Sequence, residues 1–280
     1  RHHRRPVMIL PPRLVIPLAA GGAAALLLTA SCIPVGATNP RFDISGEEIW
    51  NEFERMQGKP VELERPVLVV GPYHGPDPLI RQLQRRLIDL TSGDPHDFAY
   101  VTTWFDTTIP TVVERTIETA GERFGLSEDG TETAEVDVVG VSMGGVIARA
   151  AAIEREGRPR LKIRNLYTMA SPHRGANLAK RIAPDDAAKD LRPGSVFIGW
   201  LEEHDDQRDY DLIAYGVLND GVVGVLNSAP PGETPLWTRG KLWGSHVMVM
   251  ENKPITADIA RRLRGEPPIA EPGQPLPAYH

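Results

Sequence analysis

The sequence predicts an α/β fold in which helices cover both faces of a mostly parallel β-sheet in three layers, with a small cap or lid insertion. Two observations predict this fold. Short apolar runs of strand length alternate with amphipathic helical stretches over about 200 residues, as in parallel sheets with crossover helices. A β-branched run that begins at Val136 also passes through Gly140-Val-Ser-Met-Gly144 directly into an Ala-rich stretch, which predicts a strand, a tight turn and a helix.

Length and charge restrict the classes of protein. A chain of 280 residues can form one large domain with a full-sized core. It has 31 Lys and Arg residues against 37 Asp and Glu residues, and its net charge is −6. A mildly acidic chain without a basic stripe argues against nucleic-acid binding.

Residues 1–31 have the features of an export signal. Arginines precede an uncharged stretch, Leu14 to Ile33, that is rich in Leu, Ala and Gly. The single cysteine, Cys32, follows small residues, which resembles a bacterial lipoprotein signal that is cleaved before a lipidated Cys, although Thr29 stands where Leu is usual. An uncleaved membrane anchor and an ordinary secretory signal are the alternatives. All three place the domain outside the cytoplasm, and lipidation would tether it to a membrane of the cell envelope.

The first elements of the chain can be placed from local signals. Residues 32–44 are predicted to be a tether and residues 45–264 the folded domain. Ser45, with Glu48 three residues later, predicts a capping box at the start of a helix. Pro66 to Val70 is a continuous apolar run, which is typical of a strand buried on both faces.

Later elements follow the same alternation. Further strands are predicted over Ala99–Trp104, Ile163–Met169 and Leu212–Leu218. We also predict a last strand region over Lys241–Met250 and a last helix over Ile255–Leu263. Residues 265–280 are rich in Pro and lack periodicity, which predicts a disordered tail. Residues 171–211 are predicted to be a lid-like insertion, whose apolar cluster fits either a lid helix or a packed surface helix.

Ser142 is the candidate nucleophile. A Gly-x-Ser-x-Gly elbow holds its Ser in a strained turn, and its glycines are needed because a Cβ would collide with the neighbouring strand and helix. Gly140 and Gly144 occupy those two positions. The alternative is an ordinary Ser in a Gly-rich turn.

His246 is the candidate general base. Hydrolases with such an elbow have the chain order Ser, acid, His, which excludes the histidines before Ser142. His204 lies in a charged run and is most simply a solvated side chain. His246 precedes the last predicted helix, where this order requires the base.

Asp220 is the candidate acid that orients the His. It follows the predicted strand Leu212–Leu218 and precedes Gly221, so that its carboxylate can turn toward His246. An Asp-Gly pair is also a common turn former. The other candidates lie in a charged run or, like Asp185, in the predicted insertion.

Two backbone N–H groups are expected to form the oxyanion hole. One belongs to Met143, directly after the nucleophile. The other belongs to the loop after the first buried strand, where Pro72 has no N–H and Tyr73 is our candidate.

With these motifs the chain resembles the α/β-hydrolase superfamily, and within it the bacterial lipase-like and PGAP1-like serine esterases. The resemblance rests on four stretches between about residues 65 and 263: Gly140-Val-Ser-Met-Gly-Gly145, Ser171-Pro-His-Arg-Gly175, Asp220-Gly-Val-Val223, and His246 before the last helix. In relatives the second stretch walls the active site, which implies a structural role for His173.

The resemblance implies hydrolysis of carboxylic esters, with lipid or other acyl esters as substrates, through an acyl-enzyme on Ser142. It implies no metal and no organic cofactor. A Ser-Asp-His triad would serve a thioesterase, an acyltransferase or a peptidase equally well. The rival from another class is a non-catalytic envelope lipoprotein that uses the fold as a binding module.

Overall fold

The computed structural model describes residues 42, 44–104, 108–241, 244–271 and 275–277. The predicted signal of residues 1–31, Cys32 and most of the tether lie outside the described residues. Within the described residues, no helix is long and apolar enough to cross a membrane.

Six strands form one sheet in which every pairing is parallel. They are β1 (Val67–Val70), β2 (Phe98–Val101), β3 (Val136–Val141), β4 (Ile163–Met169), β5 (Asp211–Val217) and β6 (Leu236–Thr238). Their spatial order is β2-β1-β3-β4-β5-β6, with β3 and β4 at the centre. In such a sheet, ligands bind outside the carboxyl ends of the strands.

Most strand predictions are confirmed, and β4 has the predicted bounds. β2 is shorter than predicted because β1, its partner among the described strands, ends at Val70, which pairs with Val101. The predicted strand over Lys241–Met250 is wrong. β6 lies before that segment, and Val247–Glu251 forms a 3-10 turn. Val249 packs against the core from this turn, whereas Val247 is half exposed.

Seven α-helices lie within the described residues. They are α1 (Gly46–Gln57), α2 (Asp77–Leu90), α3 (Ile109–Phe124), α4 (Met143–Ala152), α5 (Asp186–Asp190), α6 (Val196–Glu203) and α7 (Lys253–Leu263). The predicted capping box is confirmed: Ser45 Oγ accepts the Glu48 N–H at 3.2 Å, and the Glu48 carboxylate accepts the Ser45 N–H at 2.9 Å.

The three-layer arrangement follows from the alternation of side chains along the strands. On β1, Leu68 and Val70 belong to a core cluster with α3 and α4 on one face of the sheet. Val67 and Val69 belong to a second cluster, with α2 and α7 on the other face. The predicted α/β sandwich is therefore confirmed.

The insertion of residues 171–211 packs on the first of these clusters. It contains α5 and α6, and its buried Ala187 and Leu201 lie in the cluster that also contains the inner face of α4. Val196, at the start of α6, is 90% exposed. In this structure α6 is thus a helix that is packed on one side only.

Both ends of the predicted domain extend further than expected. Phe42, assigned above to the tether, is buried beside Tyr215, with the two ring centroids 6.2 Å apart. In the predicted disordered tail, Ala270 is fully buried and its N–H donates to Asp258 at 2.8 Å. The prediction of disorder is wrong for this part of the tail because a buried carboxylate holds its backbone.

Candidate functional site

The turn between β3 and α4 holds Ser142 in a rare backbone conformation. Its φ is 49° and its ψ is −120°. Residues other than Gly seldom adopt this backbone conformation, which carries strain. The glycines of the elbow are sterically required. A Cβ at Gly144 would lie 2.1 Å from the carbonyl oxygen of Val70, and one at Gly140 would lie 2.5 Å from the Cα of Gly145.

Three side chains that are far apart in sequence form one hydrogen-bonded chain. Ser142 Oγ lies 2.9 Å from His246 Nε2, and His246 Nδ1 lies 2.9 Å from Asp220 Oδ2. A carboxylate only accepts, so Nδ1 carries the proton and Nε2 is left to accept the Ser142 hydroxyl hydrogen. The structure brings together all three residues that the sequence proposed as nucleophile, base and acid.

Asp220 is held by the backbone that follows it. Its Oδ1 accepts the N–H groups of Val222 and Val223, both at 2.9 Å, which leaves Oδ2 for His246. The preceding Asn219 has a φ of 62°, which turns the chain sharply at the end of β5. Asn219 therefore makes this turn, and Gly221, where a Cβ would meet nothing within 4 Å, is not required for it.

The charge of Asp220 is stabilised despite its burial. Burial raises the pKa of this carboxyl, but the adjacent His246 and the two backbone N–H groups outweigh burial and lower the pKa below its usual value. The Asp220 side chain has no exposed surface, and that of His246 is 12% exposed. The acid is thus a desolvated carboxylate at neutral pH.

Strained backbone is concentrated at this edge of the sheet. Four described residues other than Gly have a positive φ: His74, Ser142, Ala170 and Asn219. Each lies just after a strand, namely β1, β3, β4 and β5. Strain of this kind clusters at functional sites, which agrees with the position of the hydrogen-bonded chain.

The two candidate oxyanion donors occupy different positions. Met143 is the first residue of α4, where a helix leaves its N–H groups without intrahelical partners. Tyr73 lies in the loop after β1. Among the described residues, none accepts a hydrogen bond from the backbone N–H of Met143 or Tyr73. Both groups remain candidates for the oxyanion hole.

His173 has no exposed surface. Its Nδ1 lies 3.3 Å from the Arg149 guanidinium, and its Nε2 lies 3.0 Å from the Thr168 hydroxyl. Burial, followed by the charge of Arg149, lowers the pKa of His173 well below its usual value. This environment fits the structural role that the resemblance implied.

Sequence reasoning missed the contacts of the insertion with this edge of the sheet. Asp185, which precedes α5, accepts a hydrogen bond from the Tyr73 hydroxyl at 2.6 Å. Arg149 on α4 donates to the carbonyl oxygen of Leu201 at 3.0 Å and to Asp205 at 2.8 Å. Only the positions of charged residues within the insertion could have hinted at these bonds.

Three cavities in the described part of the chain have volumes of about 770, 390 and 430 Å³. They are lined by Gly130 and Arg158, by Arg149 and Arg208, and by Pro76 and Trp104, respectively, each with further residues. None of the three is lined by Ser142. In the described part of the chain, no group of three or more His, Cys, Asp and Glu residues could hold a metal ion.

The sheet, the strained Ser at the strand-to-helix elbow and the Asp and His after later strands are the features of the α/β-hydrolase fold. The family model of the PGAP1-like alpha/beta domain matches residues 102–183, which include Ser142 and the Ser171–Gly175 stretch. The resemblance to that family is therefore confirmed over this segment. No curated protein is significantly similar to the chain.

Several solved structures are similar to this chain at low sequence identity. The mature lipase BlEst2 from Bacillus licheniformis is 15% identical, with 69% of this chain and 90% of that chain covered and a TM-score of 0.45. The lin2722 product of Listeria innocua is 12% identical, with 71% and 93% covered and a TM-score of 0.49. Phospholipase PlaB from Legionella pneumophila is 16% identical, with 71% and 60% covered and a TM-score of 0.48.

Proposed function

We propose that this protein is a serine hydrolase that cleaves carboxylic esters of lipids or other acyl compounds through an acyl-enzyme. One observation carries the proposal: the hydrogen-bonded chain from Ser142 through His246 to Asp220, with Ser142 on a strained elbow. Nucleophile, base and orienting acid lie within hydrogen-bond distance in the order that this chemistry requires.

Acylation begins at Ser142. Its Oγ attacks the ester carbonyl carbon while the hydroxyl proton moves to His246 Nε2, 2.9 Å away. Asp220, which accepts from Nδ1, stabilises the imidazolium that forms. The N–H groups of Met143 and Tyr73 donate to the carbonyl oxygen as it becomes an oxyanion. When this intermediate collapses, the bond to the leaving oxygen breaks and that oxygen takes the proton from Nε2.

Deacylation repeats the same steps with water. His246 Nε2 takes a proton from a water molecule, which attacks the acyl carbon bound to Ser142 Oγ. Collapse of the second intermediate breaks the bond to Oγ, returns the proton from His246 to Ser142 and releases the carboxylic acid. An added alcohol in place of water would make the same site an acyltransferase.

The choice of acyl or lipid esters over peptides rests on the resemblance to lipase-like esterases, because a Ser-Asp-His triad alone would serve either reaction. Val247, directly after His246 in the chain, is an exposed apolar side chain (51%).

Turnover of p-nitrophenyl esters with a series of acyl chain lengths tests the proposal. We expect hydrolysis by the wild-type protein and none by Ser142→Ala. Ser228→Ala is the matched control, because this buried hydroxyl makes only a weak bond of 3.4 Å to Gly224 and lies outside the hydrogen-bonded chain. Acid release followed at constant pH separates hydrolysis from transfer. Folded wild-type protein without turnover of any ester would favour the binding module.

We further propose that Cys32 is lipidated and tethers the domain in the cell envelope. The uncharged stretch before Cys32 and the small residues next to it support this proposal. In cells labelled with a fatty-acid analogue, the wild-type protein should incorporate the label and Cys32→Ser should not. Equal incorporation into both would contradict lipidation at this residue.

A further inference from the structure

One carboxylate joins the insertion to the loop after β1. Asp185 Oδ2 accepts the Tyr73 hydroxyl at 2.6 Å and lies 3.0 Å from His74 Nε2. Its other oxygen, Oδ1, accepts the Ala188 N–H at 2.9 Å as the N-cap of α5. The N-cap bond through Oδ1 therefore fixes Asp185 to the insertion, while Oδ2 contacts two neighbouring residues of the loop.

Other bonds to the loop come from within it, where the Gly75 N–H donates to the Pro72 carbonyl oxygen at 2.8 Å, and from the segment after β2. Thr103 Oγ1 donates to the Pro72 carbonyl oxygen, and His74 Nδ1 lies 2.8 Å from the Trp104 carbonyl oxygen. His74 has a φ of 48°, a strained conformation that persists only when surrounding contacts hold it. Asp185 supplies the contacts from the side of the insertion.

Both partners of the Tyr73–Asp185 bond keep the required protonation state. Burial raises the pKa of the Tyr73 hydroxyl, as does Asp185, so it remains a donor. Burial also acts to raise the pKa of Asp185, but the hydrogen bonds from Tyr73, Ala188 and His74 outweigh it and lower that pKa. The Asp185 side chain is 16% exposed, so solvent screens this contact only partly.

We propose that Asp185 is a positioning residue for the oxyanion loop: its bonds to Tyr73 and His74 hold the backbone of residues 72–75 in the conformation that accepts the oxyanion. The conformation of that loop therefore depends on how the insertion of residues 171–211 packs on the domain. The inference rests on the proposed function, because the Tyr73 N–H matters only if Ser142 forms a tetrahedral intermediate.

Three variants separate positioning from helix capping. Asp185→Ser keeps an N-cap oxygen but is too short to reach Tyr73. Asp185→Asn keeps the cap through its oxygen and turns its NH₂ group toward the Tyr73 hydroxyl, which can accept a hydrogen bond from it. Tyr73→Phe removes the same bond from the other side. We expect Asp185→Ser and Tyr73→Phe to lower kcat about 10- to 100-fold, below the full loss of an oxyanion donor, with KM nearly unchanged. Asp185→Asn, in which the Tyr73 hydroxyl accepts instead of donating, should lose less of kcat than Asp185→Ser.

Two further measurements distinguish a positioning role from a merely structural one, which would leave both of them unchanged. A boronic acid forms a tetrahedral anionic adduct on the Ser, so its inhibition constant should rise in Asp185→Ser by the same factor by which kcat/KM falls. In the double variant, Tyr73→Phe should have no further effect, because Asp185→Ser has already removed the bond that Tyr73 donates.

Wild-type kcat and boronic-acid affinity in Asp185→Ser, with Ser142→Ala inactive, would overturn the positioning role and leave the proposed function standing. Additive losses in the double variant would also overturn it. A folded wild-type protein that neither hydrolyses esters nor binds the boronic acid would overturn both proposals.

Discussion

His246 and His173 lie at the same edge of one sheet, and their surroundings give them opposite chemistry. His246 has a carboxylate on Nδ1 and a Ser hydroxyl on Nε2. His173 has a guanidinium on Nδ1 and a Thr hydroxyl on Nε2. Arg149 can only donate, so Nδ1 of His173 accepts and its proton is on Nε2, whereas the proton of neutral His246 is on Nδ1.

The neighbouring charge decides which ring can act as a base. A proton taken up by His246 meets the negative charge of Asp220, while one taken up by His173 would meet the positive charge of Arg149 in a site without solvent. Proximity of a His to a hydroxyl is therefore insufficient to activate it. The acid behind the ring makes the difference.

The largest expected effect is that of His246→Gln. Removal of the base should lower kcat about 10⁶-fold, the order of magnitude lost when a serine protease is deprived of its triad His. The matched variant His173→Gln should keep nearly wild-type kcat, since that ring serves packing. Both are measured with the same p-nitrophenyl ester. Equal losses in the two variants would remove the distinction between the two rings.

Asp220→Asn should lower kcat about 10⁴-fold by reversing the tautomer of His246. The amide can still accept from Val222 and Val223, but its NH₂ group would then face Nδ1 and place the ring proton on the side of Ser142. Asp205→Asn, which alters a partner of Arg149, is the control and should leave kcat close to wild type. A similar loss in the control would show that charge near the sheet edge, rather than the tautomer, matters.

For stability, unlike for activity, replacing His173 should have a larger effect than replacing His246. His173→Leu leaves the buried Thr168 hydroxyl without its His partner and removes one partner of Arg149, which should reduce the free energy of unfolding by about 1–3 kcal/mol. Urea denaturation measures this change. His246→Gln, at a partly open site, should cost less. A larger loss of stability in His246→Gln would contradict the account.

The smallest effect is a pH dependence of stability. The folded state lowers the pKa of His173 through burial and Arg149, so below pH ~6.5 the unfolded chain binds a proton that the folded chain does not. Stability due to this group is complete above that pH and is lost as pH falls, by up to about 1.4 kcal/mol per pH unit. His173→Gln should flatten the slope between pH 6.5 and 5; an unchanged slope would show that His173 is not the group responsible.

Local patterns predicted much of the fold and the residues of the candidate site. A continuous apolar run located β1, which is buried along its whole length, as is typical of a strand covered on both faces. Chain order, together with positions after a predicted strand and before the last helix, selected Asp220 and His246, and the structure brings both to Ser142. Their catalytic roles and the oxyanion donors stay predictions.

What sequence reasoning missed depends on contacts between distant segments. The Asp185 bond to Tyr73 and the docking of Ala270 on Asp258 join residues by single side chains, which produce no periodicity. The turn at Val247–Glu251 looked like a strand because its Val and Met residues favour strands, whereas packing decided its conformation.

Covalent labelling tests most directly the claim that Ser142 is a nucleophile activated by His246. The folded protein is treated with a fluorophosphonate probe, and the adduct is mapped by mass spectrometry of its peptides. We predict one adduct on Ser142 in the wild type and in His173→Gln, strongly slowed labelling in His246→Gln and none in Ser142→Ala. Undiminished labelling of Ser142→Ala, or a folded wild type that the probe does not label, would contradict the claim.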